Sequence, residues 1–160
     1  MQDKHASHPP LPTTRKPFPQ RITQFSIFSD NKVGRLNDLV RLLAENDLHF
    51  IALASVDMID SSIIRIIVNY PEAARTLFKN NGHVFREAQV IAVQIDNEHQ
   101  LSKITCALVQ AEMNIHYLYP FLMRPNGKTG LVLRVEDNDL AEEILKENQV
   151  QVLNQDDIAR

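Results

Sequence analysis

Residues 50–69 read FIALASVDMIDSSIIRIIVN, and residues 115–135 read IHYLYPFLMRPNGKTGLVLRV. Each stretch holds two runs rich in β-branched and aromatic residues, parted by turn formers: Asp60-Ser61 in the first, Asn126-Gly127 in the second. Such runs pack well on a pleated sheet, and Asn-Gly is a strong signal for a type I′ hairpin turn. Both stretches therefore read as strand–turn–strand. Working outward, Arg21–Ser29 is an Ile- and Phe-rich strand, and Val33–Asp47 carries Leu36, Leu39, Val40 and Leu43 at helical spacing. After the first hairpin, Pro71 opens a second helix at a position that tolerates its missing N–H, Gly82 closes it, and Val84–Gln89 is a strand. The second half follows the same order: strand Val90–Ile95, helix Leu101–Met113, the second hairpin, helix Asn138–Asn148 and strand Val150–Leu153.

The two halves also match residue by residue. Leu36 aligns with Leu101, Leu39 with Ile104, Leu43 with Leu108, Phe50 with Ile115 and Met58 with Met123, each pair 65 residues apart. Past the longer second hairpin the offset becomes 67, pairing Ile64 with Leu131, Ile66 with Leu133, Val68 with Val135, Ala74 with Ala141 and Lys79 with Lys146. A period this long indicates duplicated domains rather than a solenoid. The expected fold is α+β: two tandem ferredoxin-like βαββαβ units, each an antiparallel sheet with both helices on one face. The expected divisions are a disordered Pro-rich arm over 1–20, a first domain over 21–89 and a second over 90–158. Ile63 and Ile67 oppose Ile64, Ile66 and Val68 across one strand, while Phe50, Ala52, Ala54, Val56 and Met58 oppose Ile51 and Leu53 across another. Both sheet faces are thus apolar, and helices cover only one. A second copy of the chain is the expected cover, giving a homodimer.

Composition narrows the function. The chain has 160 residues with 17 Lys plus Arg, 20 Asp plus Glu and a net charge of −3, without the basic excess of a general nucleic-acid binder. One cysteine, Cys106, excludes a disulfide framework and suits a reducing compartment. No apolar run is long enough to span a bilayer. Residues 1–20 hold five of the eight prolines and no apolar signal core, so a cytoplasmic location without membrane attachment is expected. His5 and His8 in that arm read as solvated residues, and no cofactor or metal is expected.

Between the first strand and helix runs Asn31-Lys32-Val33-Gly34-Arg35-Leu36, and Asn114-Ile115 opens a strand of the second half. With the duplication, these motifs resemble the ACT family of amino-acid-binding regulatory domains, in which a loop of the form Asp/Asn-x-Pro-Gly-x-Leu follows the first strand. The resemblance covers about 21–154 as two tandem copies. The chemistry agrees with it: a free amino acid needs N–H donors at a helix start and amides that both donate and accept. Gly34 permits close backbone approach or positive φ. Asn31 serves as helix cap or ligand contact, and Lys32 or Arg35 can meet a carboxylate.

The second loop departs from the pattern. It reads Asp96-Asn97-Glu98-His99-Gln100-Leu101, with His99 in place of the glycine, while the first half has His49-Phe50 where the second has Asn114-Ile115. Each half keeps one part of the signature. The resemblance implies one composite ligand site built from Asn31, Lys32, Val33, Gly34, Arg35 and Leu36 with Asn114 and Ile115, beside a degenerate second site. It implies a non-catalytic, allosteric protein binding an amino acid between paired domains, with no catalytic residues. The alternatives within the class are a regulatory subunit of an amino-acid biosynthetic enzyme, such as acetolactate synthase, and a scaffold that has lost its ligand. A single-stranded RNA binder of the same topology would need Tyr117, Tyr119 and Phe121 exposed for stacking. An acylphosphatase-like enzyme would need an anion cradle that the sequence lacks.

Overall fold

The computed structural model describes residues 19–124 and 127–159. The arm through residue 18, with His5 and His8, and the Asn126 position of the second hairpin lie outside the described residues. The elements are β1 (Ile22–Asp30), α1 (Arg35–Ala44), β2 (Phe50–Asp57), β3 (Ser61–Val68), α2 (Pro71–Asn80), β4 (Val84–Ile95), α3 (Glu98–Gln110), β5 (Ile115–Pro120), β6 (Thr129–Val135), α4 (Asn138–Glu147), β7 (Val152–Leu153) and α5 (Gln155–Ile158). The expected βαββαβ order therefore appears twice. Pro71 stands in the first turn of α2, and Gly82 follows that helix at φ +70°.

One difference organises the whole molecule. The two strands expected on either side of residues 89 and 90 are a single strand, β4. Its first half pairs with β1, from Val84 opposite Phe28 to Val90 opposite Ile22. Its second half pairs with β6, from Ile91 opposite Leu133 to Ile95 opposite Thr129, and with β7 at Ala92 and Val93. All pairs are antiparallel, and the strands run β2-β3-β1-β4-β6-β5 with β7 also against β4. Ala88-Gln89-Val90-Ile91 contains no turn former, so nothing interrupts the ladder there.

Three apolar clusters fill the layers. Under α1 and α2 lie Phe25, Leu39, Leu43, Ile66 and Phe78, with Phe25, Phe78 and Phe85 meeting edge to face at 5.3–5.7 Å. Under α3 and α4 the counterparts are aliphatic, among them Ile91, Ile104, Leu108, Leu133 and Leu145. The third cluster joins Ile22, Ile51 and Ile67 of the first repeat to Phe121, Val132 and Leu153 of the second. The other repeat of the same chain thus covers much of the second apolar face of each sheet, while Phe28, Val56 and Met58 toward the outer end of the first sheet stay exposed. Ala52 bridges to Phe121 across the two sheets, and Leu122 N–H donates to the Ile51 carbonyl at 2.8 Å. Gly130 lies beneath Phe121, where an added Cβ would meet the ring at 2.3 Å.

Three local details differ from the pattern reading. A register shift between Phe50 and Ala52 breaks alternation, so Ile51 and Ala52 both join the inter-sheet cluster while Phe50 and Leu53 face the helices. In α1 only Leu39 and Leu43 of the expected stripe are buried; Leu36 and Val40 stay exposed. The short helix α5 is closed by a capping box between Asn154 and Asp157. It ties the C-terminus to the first repeat, because the Gln155 amide donates to the Val68 and Asn69 carbonyls and accepts from Thr23 N–H.

Candidate functional site

The loop before α1 is shaped by its glycine. Gly34 sits at φ +96°, a conformation L side chains rarely adopt, and an added Cβ there would meet nothing within 4 Å. Positive φ, not close approach, is what requires glycine here. Gly34 occupies the N-cap position of α1, so no side chain caps that helix. The contrast with α3 and α4 is sharp: the Asn97 side chain accepts from Gln100 N–H, and the Asp137 side chain accepts from Leu140 N–H. The first-turn N–H groups of α1 thus keep their positive end without a side-chain acceptor. Val33 is fully exposed and Leu36 is 41% exposed beside it.

The polar residues of the loop are occupied by one another. Arg35 Nε donates to Asp30 at 2.7 Å, and Lys32 Nζ lies 2.8 Å from the other Asp30 oxygen. Arg35, and after it Lys32, holds the Asp30 carboxyl well below the usual carboxylate range. Asn31 is not the helix cap; its amide donates to Asp57 at 2.7 Å on the end of β2. His83 stands near this group, its imidazole shifted down by burial first and by the Arg35 charge second.

Asn114 and Ile115 open β5. Asn114 is exposed and its carbonyl accepts from Glu136 N–H, while Ile115 is half-buried against the cluster under α3 and α4. Ile115 pairs with Val135, at the end of β6 that meets the middle of β4, whereas the Gly34 loop follows β1 beyond the start of β4. Among the described residues no hydrogen bond or ion pair joins the two groups. In the second repeat His99 lies in the first turn of α3, which begins at Glu98, two residues ahead of the counterpart of Arg35.

The aromatics that an RNA platform would require face inward. Tyr119 and Phe121 are buried, and Tyr117 is half-buried against Gln24 and Arg65. Burial, and secondarily Tyr117, pushes the Tyr119 phenol well above its ordinary range. Cys106 is exposed on α3, and Pro120 ends the edge strand β5. A polar cleft of about 690 Å³ runs between α2 and α4, but its charges are paired: Arg21 with Asp139 and Glu142, Arg75 with Glu72 and Glu87, and Lys146 with Glu142. No helix among the described residues is long and apolar enough to cross a membrane.

A family model described as an ACT domain pair matches residues 20–160. The chain belongs to the ACT domain pair family. A solved protein from Bacteroides thetaiotaomicron is similar at 29% identity, covering 89% of this ACT pair and 98% of its own chain, with a TM-score of 0.80. The ligand-free regulatory subunit of aspartate kinase from Thermus thermophilus is similar at 13% identity, with coverage of 81% and 91% and a TM-score of 0.59. The corresponding subunit from Thermus flavus gives 12% identity, coverage of 81% and 92%, and 0.56. At 12–13% identity the likeness to the kinase subunits is one of fold. Comparison with curated protein sequences finds no significant match.

Proposed function

We propose that this ACT pair is a non-catalytic regulatory module that binds a small ligand, an amino acid, at the loop before α1. The observation that carries the reading is the α1 N-terminus: positive-φ Gly34, no side-chain cap, and bare Val33 and Leu36 alongside. The Arg35 N–H is engaged with the Lys32 carbonyl, which leaves the Leu36 and Asn37 N–H groups at the positive end of the helix to suit the ligand carboxylate. The Asn31–Asp57 pair supplies an amide and a carboxylate for the ammonium group. Lys32 and Arg35 orient the loop through Asp30. Asn114 and Ile115 complete the site from a neighbouring copy in a homodimer, since within one chain they stand at a different level of the sheet from the loop. Membership of a regulatory domain family supports a role as sensor. The output then acts on a separate catalytic chain, for which an amino-acid biosynthetic enzyme is the class we propose. A ligand shifts such an assembly only by its differential affinity for one arrangement.

The test is thermal unfolding of the full chain against the twenty amino acids. A ligand at a hundred times its Kd adds about 2.7 kcal/mol. One or a few related amino acids should raise Tm, and Gly34→Asp should abolish the rise. Silence across the panel, or undiminished binding by Gly34→Asp, removes the proposal.

A further inference from the structure

The face of the first sheet that looks toward the second repeat carries an unusual row. Ser26 on β1 is paired on one side with Arg65 of β3 and on the other with Arg86 of β4. Residues directly opposite in antiparallel pairs point to the same face, so the order across three strands is arginine, hydroxyl, arginine. Two strand spacings separate the arginine backbones by about 10 Å, within reach of both side chains. Gln24, two residues before Ser26 and on the same face, is fully buried and bonds the Tyr117 and Tyr119 hydroxyls at 2.7 Å each.

Neither arginine has a counter-charge. Among the described residues, the Arg65 and Arg86 side chains make no ion pair or hydrogen bond, and Arg65 Nε is buried without a partner. Each guanidinium rests on an aromatic ring instead: Arg65 lies 4.0 Å over Tyr117 and Arg86 lies 5.8 Å over Phe28. The flanking positions of the same row and the next, Ala54 and Ala88, are small. Two cations on one row of the sheet, each on an aromatic support and flanking a hydroxyl, form an incomplete set of charges. By contrast, Arg21, Arg35 and Arg75 meet carboxylates across elements, and Arg134 donates to the Gln89 carbonyl.

We propose that Arg65, Ser26 and Arg86 form a binding site for a small organic dianion, a phosphate ester or a dicarboxylate, separate from the Gly34 loop. The guanidinium fork matches both carboxylate and phosphate oxygens in a bidentate fashion. Ser26 donates its hydroxyl between them, and the Gln24–Tyr117 bond holds the ring beneath Arg65 in place. An anion here contacts β1, β3 and β4 and lies against Tyr117 of β5, so it reads both repeats at once.

The test uses the full chain with inorganic phosphate and with succinate, each against sodium chloride at matched ionic strength. Thermal unfolding and titration calorimetry provide the readouts. At least one of the two anions should raise Tm saturably, with affinity at least tenfold weaker in Arg86→Gln, an exposed position that leaves the core intact. Arg65→Gln should weaken it similarly, and Gly34→Asp should leave it unchanged. Saturation by phosphate alone assigns a phosphate ester; saturation by succinate alone assigns a dicarboxylate. No saturable effect of either anion, or an equal effect in the Arg65→Gln/Arg86→Gln double variant, overturns the proposal. A silent amino-acid panel would leave this result standing, so the two sites fail independently.

Discussion

The first repeat enters α1 through a glycine in left-handed conformation and leaves the helix end open; the second enters α3 through Asn97, whose side chain closes it. Around these two entrances the scaffolds agree closely. Leu39 and Leu43 have Ile104 and Leu108 as counterparts, and Ile64, Ile66 and Val68 have Leu131, Leu133 and Val135, all on the helix-facing side of their sheets. After duplication, packing positions tolerate exchange only among apolar residues of similar volume. A loop carries no such constraint and is free to keep or lose a ligand's donors. The asymmetry of the entrances is therefore what would set the two repeats apart if the proposed ligand binds at α1.

The most severe way to probe the comparison is to empty both cores at equivalent positions. Phe78→Ala removes the ring packed on Phe25, Phe85 and His83, at a cost of about 3–5 kcal/mol, and Leu145→Ala costs about 2–5 kcal/mol. Because β4 and the inter-sheet cluster belong to both repeats, each variant should still unfold in one cooperative transition in urea followed by circular dichroism. A resolved intermediate would show that the repeats are energetically separate.

Two glycines sharpen it next. Gly130→Ala places a methyl group against the Phe121 ring and should lower stability by about 1–3 kcal/mol through overpacking. Gly34→Ala meets open space, so its penalty of about 1–2 kcal/mol comes from positive φ alone. Denaturant midpoints read both, and an unaffected Gly34→Ala would mean that the loop relaxes out of this conformation.

The smallest effect is a pH dependence confined to the first repeat. His83 corresponds to Val150, and its folded pKa lies below 6.5 through burial and then Arg35. The folded state therefore resists protonating it. Its contribution to stability is complete above pH 6.5 and is lost as pH falls below that value. His83→Gln should flatten the Tm profile below pH 6.5, and an unchanged slope would assign the acid response to other groups.

Much of this architecture is legible in the sequence because its signals are local. Alternation in Ser61–Val68, helical spacing around Leu39 and Leu43, and the doubled pattern are enough to give two βαββαβ units. The fused β4 is harder to read: a repeat boundary suggests a linker, yet Ala88-Gln89-Val90 contains nothing to end a strand. The two-faced apolar sheets were visible, but pattern alone does not say whether a sister repeat or a second chain covers them. The shift at Phe50–Ala52 has no glycine or proline to announce it. Of the candidate site, Gly34 announced its own turn, whereas the engagement of Lys32 and Arg35 with Asp30 depends on side-chain reach. The Arg65–Ser26–Arg86 row depends on strand register, which joins residues far apart in the chain.

The uninterrupted β4 has a consequence for whether either repeat can stand alone. Dividing the chain at the repeat boundary would cost β1 only its last pair, Ile22 opposite Val90, because the rest of β4 stays with β1 on one side of the cut and with β6 and β7 on the other. What each half would bare is its side of the inter-sheet cluster, Ile22, Ile51 and Ile67 on one and Phe121, Val132 and Leu153 on the other, and such apolar faces self-associate. The pair, rather than either repeat, is the unit that buries its own apolar surface.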